Sequence, residues 1–553
     1  MMFTIKKLSL LFVSVMCIAP LLAQQDTLQK RVEVVKPYDP SISDAYKINY
    51  LPVISDTAKI TPRYDYKTRY YHYNTLFSVK PISYAKMVGE PLKELYKSYI
   101  KVGMGNYTTP LVEASYHNLR SKNYSYGVSG RFLGSYGKVK LENNEKVSLG
   151  YNDSYLNIYG KRIWSDYVFG GKINYSHLSG NYYGYNTDIP LANVLPIEKQ
   201  SGNSIGGSLF IKSTHVDSAH VNYRADLNYN YFGDKYNFGE NNLNIKSSFD
   251  KFWQKERIGV DLGVKAILPN AALDSGSTAE INFRPWISTF GDNWSVKAGI
   301  SVFYYNTPRS SKTLFFPFGN IQYNLANNFL VPYITIDGGI KTYSYMDLLK
   351  ENLYVTPGTF VEPENHKLHL RGGFKGVFSQ VLSYNFSASY SIIDNMHFFI
   401  NDFAYNTNGS SFKVVYDDVE MVNISGMVSI TPSEKLSFDL LGNYYNYKVA
   451  IIDKPYNKPD WDVSFVTRYN MQDKILFGVD IVALSSRYAF DKATSNSIVM
   501  DGAMNITLNA EYRYTKVLSF FTKLSNMTAQ KYQMWNQYPS QRFGIMIGAS
   551  YKL

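Results

Sequence analysis

Cysteine is almost absent: the 553 residues contain one, Cys17, inside an apolar run from Leu8 to Leu22 that follows Lys6 and Lys7. A basic start, a short apolar stretch and the ending Leu-Leu-Ala-Gln read as a cleavable secretory signal over residues 1–23, with cleavage after Ala23. Cys17 follows Met16 rather than a small residue, which argues against lipoprotein processing there. The mature chain then carries no thiol, which excludes a disulfide framework, a Cys-ligated zinc and thiol catalysis. Long apolar runs are lacking too. Past the signal no stretch approaches the roughly eighteen uncharged apolar residues of a spanning helix, so a membrane role would have to rest on strands. Charge is sparse, at 18% of residues. Removing Lys6 and Lys7 lowers the formal balance from +12 to +10, and no basic run remains, so the excess does not point to nucleic acid.

What is present is aromatic and alternating. The chain has 50 Tyr and 32 Phe, and amphipathic rings of this kind collect at the two headgroup interfaces of a membrane barrel. From Val221 to Tyr231, Val221, Tyr223, Ala225, Leu227, Tyr229 and Tyr231 share one face of an extended strand while Asn222, Arg224, Asp226, Asn228 and Asn230 share the other. Comparable segments run from Ser98 to the last residue, among them Ile258–Leu268, Trp294–Tyr304, Leu382–Ile392 and Met504–Tyr514. Tight polar turns are expected near Ser121, Ser165, Ser218, Gln254, Asp292, Asn327, Gln380, Ser433, Asp473 and Lys516, with longer connections such as His177–Asn203, Ser344–Asn365 and Asp394–Val419 between them. Short periplasmic turns alternating with long outer loops are the pattern of an up-and-down barrel, and this set of turns implies about 22 strands. Asp394–Asp418 is the ambiguous stretch, readable as a protruding hairpin or as two more wall strands. The expected fold is therefore all-β: a transmembrane antiparallel up-and-down β-barrel over 98–553, preceded by a short, extended, proline-rich periplasmic segment over 24–97.

A soluble secreted all-β protein would alternate as well. Three features weigh against it: one long alternating domain without a fixed repeat, polar faces rich in charge and glycine (Arg257, Gly259, Asp261, Gly263, Lys265), and a chain that ends inside a strand. Phe543, Ile545, Ile547, Tyr551 and Leu553 form one face of that last strand, as a closing strand requires. It resembles the C-terminal assembly signal of bacterial outer-membrane barrels, with Leu553 in place of the usual terminal aromatic. Leu518–Asn526, then Tyr532, Trp535, Tyr538 and Pro539, then the closing strand resemble the end of TonB-dependent receptor barrels. Gln24–Lys97 is too short for the globular plug of such receptors, and Val32–Asp56 looks like the entry segment of plugless, receptor-related barrels of the Bacteroidetes. This resemblance implies the bacterial outer membrane and its lipid, recognition by the barrel-assembly machinery, and a periplasmic or lipoprotein partner docking on the N-terminal segment. TonB itself would contact Val32–Lys36 by strand addition if at all; the alternative is an edge segment lying against the barrel mouth.

The residues expected to face the lumen are Lys101, Arg224, Asp226, Asp261, Lys265, Lys297, Arg371, Lys375, Glu511, Arg513 and Lys552. Cations outnumber anions among them, so collectively they favour anionic or polar solutes, although any one of them could simply pair across strands. A 22-strand barrel is wide enough to leak, so the N-terminal segment, the outer loops or a partner must occlude it. No catalytic, metal or cofactor site is nominated. His366 and His369 are three apart on an expected strand, which places them on opposite faces and speaks against shared metal ligation. His117 and His220 read as ordinary polar positions. The reading is a gated channel or transporter. Its rival is a barrel that only anchors an outer-membrane complex.

Overall fold

The computed structural model describes residues 95–119, 121–188, 198–215, 219–270, 276–491 and 496–553. The expected signal peptide and residues 24–94 of the N-terminal segment, including Val32–Lys36, lie outside the described residues. Period-two alternation from Ser98 onward becomes a 22-stranded antiparallel sheet in which each strand pairs with its sequence neighbours in the wall. Of the expected tight turns, Ser218 lies outside the described residues and Ser433 is the last residue of its strand; the others fall at joints between consecutive strands, Gln254 between Trp253 and Glu256 and Asp473 between Met471 and Ile475, for example. Both residues adopt a positive φ, +57° in each case, which lets the chain reverse within so few residues.

Closure is made at one seam. The first strand, Ser98–Gly105, pairs on one side with Thr109–His117 and on the other with the last, Gly544–Lys552. Ser98 and Leu553 exchange backbone hydrogen bonds of 2.8 and 2.9 Å, and the Asn106 side chain continues the ladder by accepting from the Ile545 N–H at 3.0 Å and donating to the Phe543 carbonyl at 2.9 Å. A closed ladder leaves no unpaired edge in hydrocarbon. Inside the seam, Gly103 lies opposite Gly548, which lies opposite Phe521. The Phe521 ring lies across both glycines, so that a Cβ on Gly103 would stand 2.8 Å from its tip.

The outer face is apolar and uncovered. Ile173, Ile300, Ile334 and Ile547 are 55–59% exposed, and Phe543, Ile545, Tyr551 and Leu553 stand on the same outward side. An apolar belt of this extent requires a hydrocarbon solvent. Trp253, Trp294, Tyr323, Phe329, Phe378 and Tyr514 flank the short turns, and Tyr304, Tyr444 and Trp461 stand towards the other rim, the two aromatic girdles of a membrane barrel.

One open alternative is decided, and two local features depart from the expected strand pattern. The stretch Asp394–Asp418 adds no wall strand: after a bulge at Asp394 and Asn395, the strands Leu382–Asn401 and Phe412–Ser433 continue as a paired hairpin past the wall. The connection after His177 is shorter than expected, because strand pairing continues to Asn181 and resumes at Lys199. A helix, Tyr345–Glu351, lies in the Ser344–Asn365 connection, started by a capping box in which Ser344 accepts from the Asp347 N–H and Asp347 accepts from the Ser344 N–H. A Gly548→Val substitution should press on Phe521 and the Val102 carbonyl at the seam and cost roughly 1–3 kcal/mol. It should lower the temperature at which the folded, fast-migrating species is lost on semi-native electrophoresis. Gly372→Ala, where nothing lies within 4 Å of the new Cβ, should leave that temperature unchanged.

Candidate functional site

The long connections converge. Leu141 and Val147 from one loop, Tyr183 and Tyr185 from the next, Tyr345, Leu348, Leu349 and Val355 from the helical connection, Phe399 and Phe412 from the protruding hairpin, and Tyr538 near the C-terminus form one buried apolar cluster. Tyrosine suits this place because its ring packs while its hydroxyl reaches a backbone group on the neighbouring loop. Tyr182 donates to the Val355 carbonyl at 2.9 Å and Tyr183 to the Pro539 carbonyl at 3.0 Å, while Tyr538 donates to the Ser410 carbonyl. The rings of Tyr354 and Tyr538 stack at 3.7 Å, with Tyr183 edge-on to Tyr538 at 4.8 Å. Backbone pairing joins the loops as well: Phe412 donates to the Tyr354 carbonyl and Thr356 to the Phe412 carbonyl, at 2.9 and 2.8 Å. At about 1.5–3 kcal/mol per fully buried large side chain, such a cluster is a packed lid and not a set of independent loops.

The lid reaches into the barrel. Lys265 on the wall donates to the Thr342 carbonyl, Thr342 donates to Glu280, and Asn230 donates to the Met346 sulfur at 3.3 Å. Glu240, 2% exposed at the outer end of its strand, accepts the Tyr345 and Met346 N–H groups at 3.0 Å each, holding the helix by its first turn.

The remaining sequence-nominated residues stand on wall strands, at positions that alternate with the exposed apolar set. Arg224 makes a two-point contact with Asp226 at 2.6 and 2.9 Å. Asp261 accepts from Ser248 at 2.6 Å and faces Arg284 in register. Lys101 lies 4.2 Å from the Phe521 ring centre, Lys297 3.9 Å from that of Trp286, and Lys375 5.6 Å from that of Tyr333 while donating to Gln322. Arg371 stands opposite Thr335 and Ser389, Glu511 opposite Phe521, and Lys552 opposite Tyr99. Arg513 approaches Asp473 at 3.7 Å.

Several paired charges stand outside the nominated set, Arg257 among them although its strand reads as having a polar face. Arg131 pairs with Asp153, Arg257 with Asp250 at 2.6 Å and Arg284 with Asp337 at 2.9 Å. The signal was present in the strand parity: Arg284 keeps the parity of Glu280 and Asn282, and Pro285 interrupts the ladder to the next strand without shifting its register. Each pair is neutral in sum, so they leave the cation excess of the nominated set unchanged. The expectation for His366 and His369 is corrected. A bulge at Lys367 inserts one residue, so His366 faces Ile393 and His369 faces Ser391, two residues apart on the partner strand, and the two histidines share a face. Their nitrogens are engaged with Glu364 at 3.0 Å and Ser391 at 2.8 Å. Among the described residues no group of three or more His, Cys, Asp or Glu is arranged to hold a metal ion.

The barrel has solved counterparts. The chain superposes on the FrpB iron transporter from Neisseria meningitidis with a TM-score of 0.64 at 9% identity, covering 84% of this chain and 82% of that one. The fold is that of the TonB-dependent outer-membrane receptors. The pyoverdine outer membrane receptor FpvA from Pseudomonas aeruginosa, bound to pyoverdine, gives 0.59 at 11% identity over 84% and 79% of the two chains. The copper transporter OprC gives 0.59 at 11% over 83% and 80%. No family model and no curated protein matches the sequence. The lid is built from this chain's Tyr-rich loops. Tyr538→Ala should remove about 3–5 kcal/mol of packing from the lid. Hydrogen exchange should accelerate in residues 182–188, 353–357 and 402–411, with the wall strands unchanged.

Proposed function

We propose that the chain is a transporter barrel of the bacterial outer membrane in its shut state, passing small polar solutes, anions among them, when the lid is displaced. One observation supports this reading above the others: the buried tyrosine cluster joins loops from separate parts of the rim over a lumen lined with ion pairs and cations. A hydrated, charged interior serves a solute and adds nothing to a membrane anchor, whereas a lid of this kind keeps so wide a barrel from leaking. Lys101, Lys297, Lys375 and Lys552 supply the anion preference in this reading, beside acidic groups already paired with arginines. The proline-rich segment Gln24–Lys97 gates the periplasmic mouth and offers the docking site for a lipoprotein, another periplasmic partner or TonB.

The anchor reading keeps one point in its favour, since a lid this well packed also suits a barrel that never opens. Planar-bilayer recording separates the two. The intact chain should be silent, and a variant with residues 345–361 replaced by a short Gly-Ser link should conduct. Silence in a correctly folded variant would favour the anchor. In the conducting variant, a reversal potential showing cation preference would overturn the anion assignment. Deletion of Gln24–Tyr84 should further raise conductance and detergent sensitivity, and no change in either would remove the gating role of that segment.

A further inference from the structure

The helix Tyr345–Glu351 is held at its second end by a buried chain of ionisable groups. His397, with 6% side-chain exposure, lies between two carboxylates, its Nδ1 2.6 Å from Glu364 Oε1 and its Nε2 2.8 Å from Glu351 Oε2. Glu364 Oε1 also accepts the His397 backbone N–H at 3.2 Å, and its other oxygen meets His366 Nε2 at 3.0 Å. The second oxygen of Glu351 accepts from Lys458 at 3.1 Å. Tyr343 donates to Glu364 at 3.3 Å and sets its ring against His397 at 4.8 Å, with Phe399 on the imidazole at 5.5 Å. Lys341 from the wall and Asp347 from the helix complete the charged groups around the site.

The geometry calls for two donors on one ring. Only an imidazolium donates from both nitrogens; a neutral imidazole would turn a lone pair towards one of the carboxylates. We propose that His397 is a pH-controlled latch of the lid: protonated, it ties Glu351 on the helix to Glu364 on the wall, and its deprotonation frees the C-terminal half of the helix. The first turn stays held by Glu240. Burial pulls the His397 pKa down, but the hydrogen bonds to Glu351 and Glu364 outweigh it and leave it raised above the ordinary value. A raised folded-state pKa means that the stabilisation is complete below the ordinary histidine range and is lost as pH rises through the folded value. On the acid side burial again works against the charge, yet His397 and Lys458 hold the Glu351 carboxyl down to about 2, so the latch stays shut there.

The role as a transport gate rests on the lid reading above, whereas the latch itself is tested by accessibility and needs no conductance. Because the mature chain is free of cysteine, a single thiol can report. Leu348 is 1% exposed beneath the lid, and Ile451, at 86%, supplies a reference. In the full-length protein in detergent micelles, maleimide labelling of L348C is divided by that of I451C to cancel thiol ionisation. The ratio should rise about tenfold between pH 6 and 9 for each pKa unit separating the latched and released states. H397Q should be independent of pH. K458M, which removes a positive neighbour from the imidazolium, should move the rise to higher pH. A ratio that is flat in the parent, or that rises equally in H397Q, would overturn the latch. If L348C does not fold, hydrogen exchange of Tyr345–Glu351 in the unsubstituted chain, corrected for intrinsic rate, decides the same question by the same pH dependence.

Discussion

Everything in this chain follows from the need to pair backbone N–H and C=O groups where no water can do so. In hydrocarbon an open sheet edge is prohibitively costly, and a sheet escapes that cost by closing on itself. The reciprocal bonds between Ser98 and Leu553 make that closure here, and they require both ends of the barrel domain to be strands. Glycines at Gly103 and Gly548 let the first and last strands lie close, and Phe521 fills the space their missing side chains leave. The rest of the wall needs only alternation, apolar side chains outward and polar ones inward.

Closure creates a second problem, because so many strands enclose more space than their own inner side chains fill. The outer loops meet it by building a small globular core of their own at the mouth. Tyrosine dominates there because a loop core contains many backbone carbonyls without ladder partners. Tyr182, Tyr183 and Tyr538 each bury a ring while their hydroxyls satisfy such a carbonyl on another loop. The helix Tyr345–Glu351 is tied at both ends through carboxylates, Glu240 accepting backbone N–H groups of the first turn and Glu351 meeting the His397 imidazole at the last.

Much of the fold was legible because each strand states its orientation locally. The turns, the lipid face and the final strand were all readable from side-chain alternation and polar breaks. A period of two also fails at identifiable points. The bulge at Lys367 reversed the relation between His366 and His369, and Asp394–Asn395 decided whether the next residues were wall or protrusion; a bulge has no signature in an alternating sequence. The helix did carry a signal, Ser344 and Asp347 three apart, but seven residues inside a loop are too few for helical periodicity to stand out. The charges left out of the nominated set were whole pairs, cation and carboxylate together. Asp250, Asp153 and Asp337, like the arginines that hold them, acquire their meaning from a neighbouring strand.

The sequence by itself determined a strand-built membrane wall of about this size with a dry outside and a wet inside, because burial in lipid acts on each strand separately and leaves its mark every second residue. The tertiary structure decided which loops meet, that tyrosines from separate parts of the chain form one lid, and that His397 stands between Glu351 and Glu364. Those contacts join residues far apart in sequence through irregular backbone. No periodicity marks them, and only the closed ring of strands brings them within reach of one another.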